Sequence, residues 1–400
     1  MNQIVIAGNK GERIRSDCHV TLEFRKSGGI NIQLNSKVEG MYGNQIRQQV
    51  TEVLEALKVR HAKIQMEDSG ALPFVIGARI EAAVKKIQPS DLSWLPPMIP
   101  QNQDESRKDQ CRFSRLYLPG NTPGMMLNAG IHKPNGIILD LEDSVALEKK
   151  EEARLLVRNA LRQVDFYGAE RMVRINQLPA GLDDLNDLVP HHVNLILIPK
   201  CEHGHQVKQV EERVKSILKE IKQERGVFFM PIIESCIGVE NAFEVATSSD
   251  HVVALAIGLE DYTADLGVKR TIGGEESLYA RTRLVNACRA AGVQPIDSVF
   301  SDVADMEGLK QNVNQSKSLG FVGMGCIHPR QVPVIHEGFS PHEDEIIKAE
   351  KIVQAFKDAE AKGLGVISLG TKMIDPPVVK RAQQIIELAY RFGLRQHPES

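Results

Sequence analysis

Between residues 115 and 329 the chain repeats one pattern eight times: a short apolar run, then an amphipathic segment. The runs are RLYLP (115–119), GIILDLED (136–143), RMVRIN (171–176), NLILIPK (194–200), VFFMPIIE (227–234), VVALAIGLED (252–261), GVQPID (292–297) and GFVGMGCIHP (320–329). Runs that are apolar along their length, rather than at alternate positions, fit strands covered on both faces. The intervening segments carry a single apolar helical face; Val207, Val210, Val214, Ile217, Leu218 and Ile221 share one. Eight strand–helix units in series predict an α/β fold, a (β/α)8 TIM barrel. A doubly wound open sheet is the competing architecture, but no G-x-G-x-x-G follows the first run.

Polar side chains gather at the C-terminal ends of these runs, where barrel enzymes carry their chemistry. In order they are Pro119-Gly120-Asn121, then Asp140, Glu142 and Asp143, then Arg174 and Asn176, Lys200, Glu234, Glu260 and Asp261, Asp297 and Asp302, and His328 with Arg330. Glu234 and Asp261 close consecutive runs about one strand–helix–strand unit apart, so parallel strands bring both to one rim. Acids that end apolar strands are costly to bury alone, and a divalent cation offsets that cost. They are the predicted centre of a metal site, with magnesium the expected ion. Arg174 either forks onto a substrate carboxylate or pairs with the acids of LED. Glu142 and Asp143 are expected to orient metal-bound water. Lys200 is expected to contact substrate or to neutralise the acidic mouth, and Pro119 and Gly120 to face substrate. His328 reads as a loop histidine rather than a base, and His203 and His205 as solvated residues at a helix start.

The flanks divide into separate units. Residues 1–87 read as a small α+β domain. Val20, Leu22 and Phe24, then Ile30, Ile32 and Leu34, alternate on either side of Ser27-Gly28-Gly29, which predicts a hairpin. Helices follow over 43–58 and 72–87, with a strand at 61–67 between them. Residues 88–110 are a linker rich in Pro and polar residues, stiffened by proline and pinned onto a domain by Trp94, Leu95 and Met98. The barrel domain spans 111–395 and includes a helical extension, 341–361 and 376–392, in which Asp375 caps the last helix. An extension beyond a finished barrel is also able to reach a neighbouring copy's mouth.

Composition excludes several classes. The chain has 400 residues and is 42% hydrophobic, enough for two cores. Its formal net charge of −3, with no long run of one sign, gives no nucleic-acid face. No window approaches the roughly 20 apolar residues of a membrane span, and the first residues lack a signal-type apolar core. Six cysteines lie far apart with no CxxC, which fits reduced thiols and a cytoplasmic protein.

The segments LDLEDSVAL, VRIN, IPK, PIIES…GLEDY, SLYARTRLVNACRAAGVQPIDSVFSDVADMEGL, HPRQ and LGVISLGTKMIDPPV resemble the β subunit of citrate lyase and the wider citryl-, malyl- and citramalyl-thioester lyases of the HpcH/HpaI aldolase superfamily. The resemblance implies a magnesium-dependent lyase, trimeric or a higher multiple. It implies metal binding at Glu234 and Asp261, substrate binding at Arg174, and an acid/base at Asp375 that enters the next protomer's site. VIAG at 5–8, RSD, NSKVEGMYGNQIRQQVTEVLEAL and DSGALPFVIGARIEAAV resemble the acyl carrier (γ) subunit of citrate lyase. In that family a serine carries a phosphoribosyl-dephospho-coenzyme A arm. Here Arg15 stands at the usual acceptor position, and Ser16, the only serine of the loop, is the candidate. Together the two resemblances imply a carrier-fused citryl- or citramalyl-thioester lyase that works with a separate α-type acyl-exchange subunit. A stand-alone lyase for free coenzyme A thioesters with a vestigial first domain is the alternative, and a non-catalytic scaffold is a third.

Overall fold

In the computed structural model the structure describes residues 3–361, 367–369, 372–391 and 393–396. The N-terminal unit is β1 (Ile4–Ala7), β2 (Cys18–Phe24), β3 (Ile30–Ser36), α1 (Glu39–Ala56), β4 (Ala62–Asp68) and α2 (Pro73–Ile87). Its sheet order is β1-β2-β4-β3. The expected hairpin is therefore absent: β4 lies between β2, to which it is antiparallel, and β3, to which it is parallel. The physical reason sits in the loop. Arg25 N donates to His61 O at 2.9 Å, Gly29 N to His61 Nδ1 at 3.0 Å, and Ala62 N to Gly29 O at 3.1 Å. The start of β4 thus fills the mouth of the turn, which Gly28 and Gly29 widen with φ of +99° and +72°. Alternation and a glycine turn are local signals, and they cannot report a strand inserted from 30 residues on.

All eight apolar runs form strands: β5 (Ser114–Pro119), β6 (Gly136–Asp140), β7 (Glu170–Arg174), β8 (Leu195–Ile198), β9 (Phe228–Ile233), β10 (Ala254–Ile257), β11 (Gln294–Asp297) and β12 (Gly323–Cys326). They are parallel and close into a barrel in chain order. Helices surround it, and Ile138, Met172, Leu195, Leu197, Met230 and Ile232 pack in its interior. Beyond the barrel, helices Glu343–Glu360 and Pro376–Arg391 pack on each other through Ala349, Ile352, Phe356, Val379 and Ala382. No helix among the described residues is long and apolar enough to cross a membrane.

The two domains share one interface. Helix α2 is buried at every position from Phe74 to Val84, between its own sheet and the barrel helix Lys150–Gln163. Its charges are buried with it. Arg79 grips Asp17 through Nε (3.0 Å) and Nη2 (2.9 Å), donates from Nη1 to Asn121 Oδ1 (2.6 Å), and lies 3.6 Å from Glu152. Glu152 in turn accepts Gly8 N at 2.6 Å. Glu81 takes both arms of Arg158, at 3.0 and 2.7 Å. The linker is pinned here as well. Trp94 stands over Gly77, where a Cβ would lie 2.1 Å from the ring, and its backbone N–H donates to Glu81 Oε2 at 3.1 Å.

Arg79→Met leaves Asp17 buried without its cation, while Glu152 keeps only Lys149. We expect a loss of about 3–5 kcal/mol in urea unfolding, and the single transition of the native chain to split as the N-terminal domain undocks. An unchanged midpoint with one transition would contradict the interface.

Candidate active site

A cavity of about 830 Å³ opens at the C-terminal ends of the barrel strands; Tyr117, Pro119, Asp140, Asp143, Arg174, Glu234, Asp261 and His328 are among the residues that line it. Glu234 follows β9 and is buried; Asp261 lies in the first turn of the helix Leu259–Leu266 that follows β10. Lys200 joins them. Its backbone N–H donates to Glu234 Oε1 at 2.7 Å, and its ammonium bonds Asp261 Oδ1. To do both, Lys200 takes the left-handed conformation, φ +47°. Gly258 leaves room for the pair: a Cβ there would lie 2.5 Å from Glu234 Oε2. Burial pushes the Glu234 carboxyl up to about 7; the Lys200 N–H opposes that and the Asp261 charge adds to it.

Two carboxylates on an open rim match the way magnesium is held, with water and substrate completing its shell. Among the described residues no set of three or more His, Cys, Asp and Glu side chains is gathered that could hold a metal. Glu234 and Asp261 are the residues that would hold such an ion. Burial, with the Asp261 charge added to it, keeps Glu234 partly protonated near neutrality, and a cation at the rim would favour its charged form.

Arg174 closes β7 and faces the acids of the β6 loop. Nε and Nη2 fork onto Asp140 at 2.6 and 2.7 Å, and Nη1 lies 2.9 Å from Glu142 and 3.4 Å from Asp143. Of the two expected readings, the ion pair with LED is the one this conformation shows. The guanidinium also lies 5.5 Å from the centre of the Tyr117 ring. Burial raises Asp140, but Arg174 more than offsets this and holds its carboxyl below the usual range. Asp140 also accepts Glu142 N (3.0 Å) and Ser144 N (3.2 Å), so one carboxylate shapes the loop and orients the arginine. Glu142 is buried and accepts Gln177 Nε2 at 2.8 Å, while Asp143 is exposed at the rim.

The remaining expected residues divide. Pro119 lines the cavity. Gly120 packs away from it: its N–H donates to Asp140 O at 2.8 Å, and a Cβ would lie 2.5 Å from that oxygen. His328 lines the mouth with Nδ1 accepting Arg330 N at 3.1 Å, as a loop histidine does. His203 caps the helix Gly204–Glu220 and stacks on His205. Asp375 caps the last helix, accepting Val378 N at 3.2 Å, and does not line the cavity in its own chain. Ser16 is half-buried with φ +55°, and its loop rests on Gly124, itself a cavity residue; a Cβ on Gly124 would lie 3.0 Å from Arg15 O and 3.9 Å from Ser16 Cβ. Sequence reasoning missed Arg115 and Tyr117, which also line the cavity. The available signal was parity: Arg115, Tyr117 and Pro119 alternate along the first run and so face one side.

Two family models match the chain: HpcH/HpaI aldolase/citrate lyase over residues 114–329, and the malonate decarboxylase delta subunit, an acyl-carrier model, over 6–87. The chain belongs to the HpcH/HpaI aldolase/citrate lyase family. It is a carbon–carbon lyase with an acyl-carrier-type domain at its N-terminus. The citrate lyase subunit beta of Leuconostoc mesenteroides subsp. cremoris is 38% identical over 284 residues, 70% of this chain and 94% of that one. The mitochondrial citramalyl-CoA lyase of Rattus norvegicus is 32% identical over 290 residues, 70% of this chain and 86% of that one. The crystal structure of protein CitE from Mycobacterium tuberculosis in complex with magnesium, acetoacetate and coenzyme A aligns with a TM-score of 0.59 at 26% identity, covering 71% of this chain and 99% of that one.

The Glu234 carboxyl sits at about 7 in the metal-free fold against an ordinary 4.5, so the folded state holds its proton more tightly than the unfolded chain. That contribution is complete below pH 4.5 and is lost as pH rises through about 7; it amounts to about 3 kcal/mol. Unfolding of metal-free protein across this window should show the loss, and Glu234→Gln should flatten it. Equal slopes in the two proteins would refute the assignment.

Proposed function

We propose that the chain cleaves a citryl or citramalyl thioester in a magnesium-dependent reaction, giving oxaloacetate or pyruvate and an acetyl thioester, with its N-terminal domain as the acyl carrier. The carrying observation is the meeting of Glu234 and Asp261 through Lys200, on the rim of a cavity that Arg174 also lines. Similarity to a citrate lyase beta subunit over 94% of that protein's length supports the reaction class.

A 3-hydroxy-3-carboxy thioester fits this rim with its hydroxyl and carboxylate turned toward Glu234 and Asp261. Held by those two acids, magnesium would lower the hydroxyl pKa and polarise the developing ketone. The hydroxyl gives up its proton, the C–C electron pair moves onto the thioester's α-carbon as an enolate, and that carbon is then protonated. Lys200 balances the charge of Asp261, and Arg174 offsets part of the acidic charge of the β6 loop and holds that loop in place. Asp375 is the proposed acid/base. Because it lies off the cavity of its own chain, it would act from a neighbouring copy, in a trimer or higher multiple.

Ser16 is the proposed anchor of a phosphoribosyl-dephospho-coenzyme A arm. Its closeness to Gly124 would start such an arm near the rim of its own barrel, and the docked domain would hold the acyl group there at high effective concentration. A separate α-type acyl-exchange subunit completes the proposed complex. Six free cysteines, none in a disulfide, support a cytoplasmic setting. A second reading, a stand-alone lyase for free coenzyme A thioesters with a vestigial carrier, is favoured by Arg15 at the usual acceptor position.

Release of oxaloacetate and pyruvate from each thioester, with and without magnesium, tests the reaction. Glu234→Ala and Asp261→Ala should each lower kcat/KM on the order of 1,000-fold, the several kcal/mol that a Lewis acid supplies; retained activity would reject the metal assignment. Intact mass separates the two readings. A nucleotide adduct that Ser16→Ala abolishes supports the carrier, and an unmodified chain that turns over coenzyme A thioesters supports the stand-alone lyase.

A further inference from the structure

The cavity has a second end. It descends from the acidic rim into the barrel, past Ile232, Ala256 and Gly325, to the side chain of Arg115. Arg115 is the second residue of β5 and only 1% exposed. Its strand neighbours in register are glycines on both sides, Gly136 on β6 and Gly325 on β12, which offer it no polar side chain; Met172 stands over the first, and Val299 and Tyr117 over the second.

The guanidinium has almost nothing to bind. Its one hydrogen bond runs from Nη1 to the Met230 sulfur at 2.7 Å, and a thioether is a weak acceptor. Among the described residues Nε has no hydrogen-bond partner, and Arg115 enters no ion pair. Glu170, one of the acids whose charge reaches it, is already held by both arms of Arg112, at 2.7 and 2.8 Å. Burial pushes Arg115 down to about 10, an arginine held charged at a cost. The other two cations of the mouth are matched: Arg174 by Asp140 and Glu142, and Lys200 by Asp261. An unpaired cation at the floor of an apolar-walled pocket is satisfied by an anion brought in from outside.

We propose that Arg115 binds a second carboxylate on the acyl group, so that the pocket selects a citryl-type thioester, with its carboxymethyl arm, over a citramalyl-type one, with a methyl there. The inference rests on the lyase reading above and adds the specificity which that reading leaves open. The α-hydroxy acid end stays at the Glu234–Asp261 rim, and the carboxymethyl arm points down the barrel. Arg115 is a specificity-determining residue and takes no part in proton transfer.

The test is binding of the two oxo acids to the full chain, by calorimetry in magnesium. Oxaloacetate carries the second carboxylate and pyruvate lacks it. The native chain should prefer oxaloacetate on the order of 100-fold, the scale of a desolvated charge pair. Arg115→Met, which matches the adjoining Met230, should abolish the preference by weakening oxaloacetate alone. Arg115→Lys, which keeps a cation, should retain part of it and serves if the methionine variant does not fold. Equal affinity for the two acids, no binding of oxaloacetate, or a preference that survives Arg115→Met would each overturn the proposal. The lyase assay is judged separately. A chain that prefers oxaloacetate through Arg115 but cleaves neither thioester refutes the lyase reading and leaves the carboxylate site standing; faster cleavage of the citramalyl thioester refutes the site and leaves the lyase reading.

Discussion

One guanidinium makes a single body of two domains. Arg79 belongs to the N-terminal domain, is fully buried, and holds Asp17 of its own domain together with Asn121 and Glu152 of the barrel. Burial works against its charge, but Asp17, at a bidentate hydrogen-bonding distance, more than compensates. Asp17 directly follows Ser16, and Asn121 lies in the loop that leaves β5. The guanidinium that reaches Asn121 and Glu152 across the interface therefore also holds Asp17, and with it the Ser16 loop, at the rim of the barrel. A carrier domain is usually pictured as a swinging part. Here the domain is docked against the barrel.

The mouth shows a graded charge. Its rim carries Asp140, Glu142, Asp143, Glu234, Glu260 and Asp261, and two of its cations, Arg174 and Lys200, are held by those acids. Negative charge in excess at the rim favours a divalent ion; a lone cation at the floor favours an anion. A substrate with an oxygen-rich end and a distant carboxylate would meet both. Glycines make room at both ends: Gly258 beside Glu234, and Gly136 and Gly325 on the strands that flank Arg115.

Much of this was legible in the residues. The eight runs became eight strands because a run that is apolar on both faces has few ways to be buried other than in a covered parallel sheet. The polar ends were legible as a group for the same reason: in a barrel of parallel strands every C-terminal end opens on one side. The hairpin was not, because the pairing of β2 with β4 depends on a strand distant in sequence. Nor were Arg79 and Glu81. On a helix read as amphipathic they look like solvated charges, and only the approach of the barrel helix Lys150–Gln163 buries them.

By itself, then, the sequence determined the number of barrel strands, their order, the family, and the pool of acids and bases at one mouth. These follow from hydrophobic period and from residue types at strand ends, which are properties of short segments. Tertiary structure alone decided which of those groups are already matched. It gave Arg174 to Asp140 and Lys200 to Asp261, and it left Arg115 unpaired. It also set the N-terminal domain against the barrel instead of apart from it. Charge pairing depends on distances of a few ångströms between segments far apart in the chain, and burial sets its strength. No local pattern in the sequence carries either quantity.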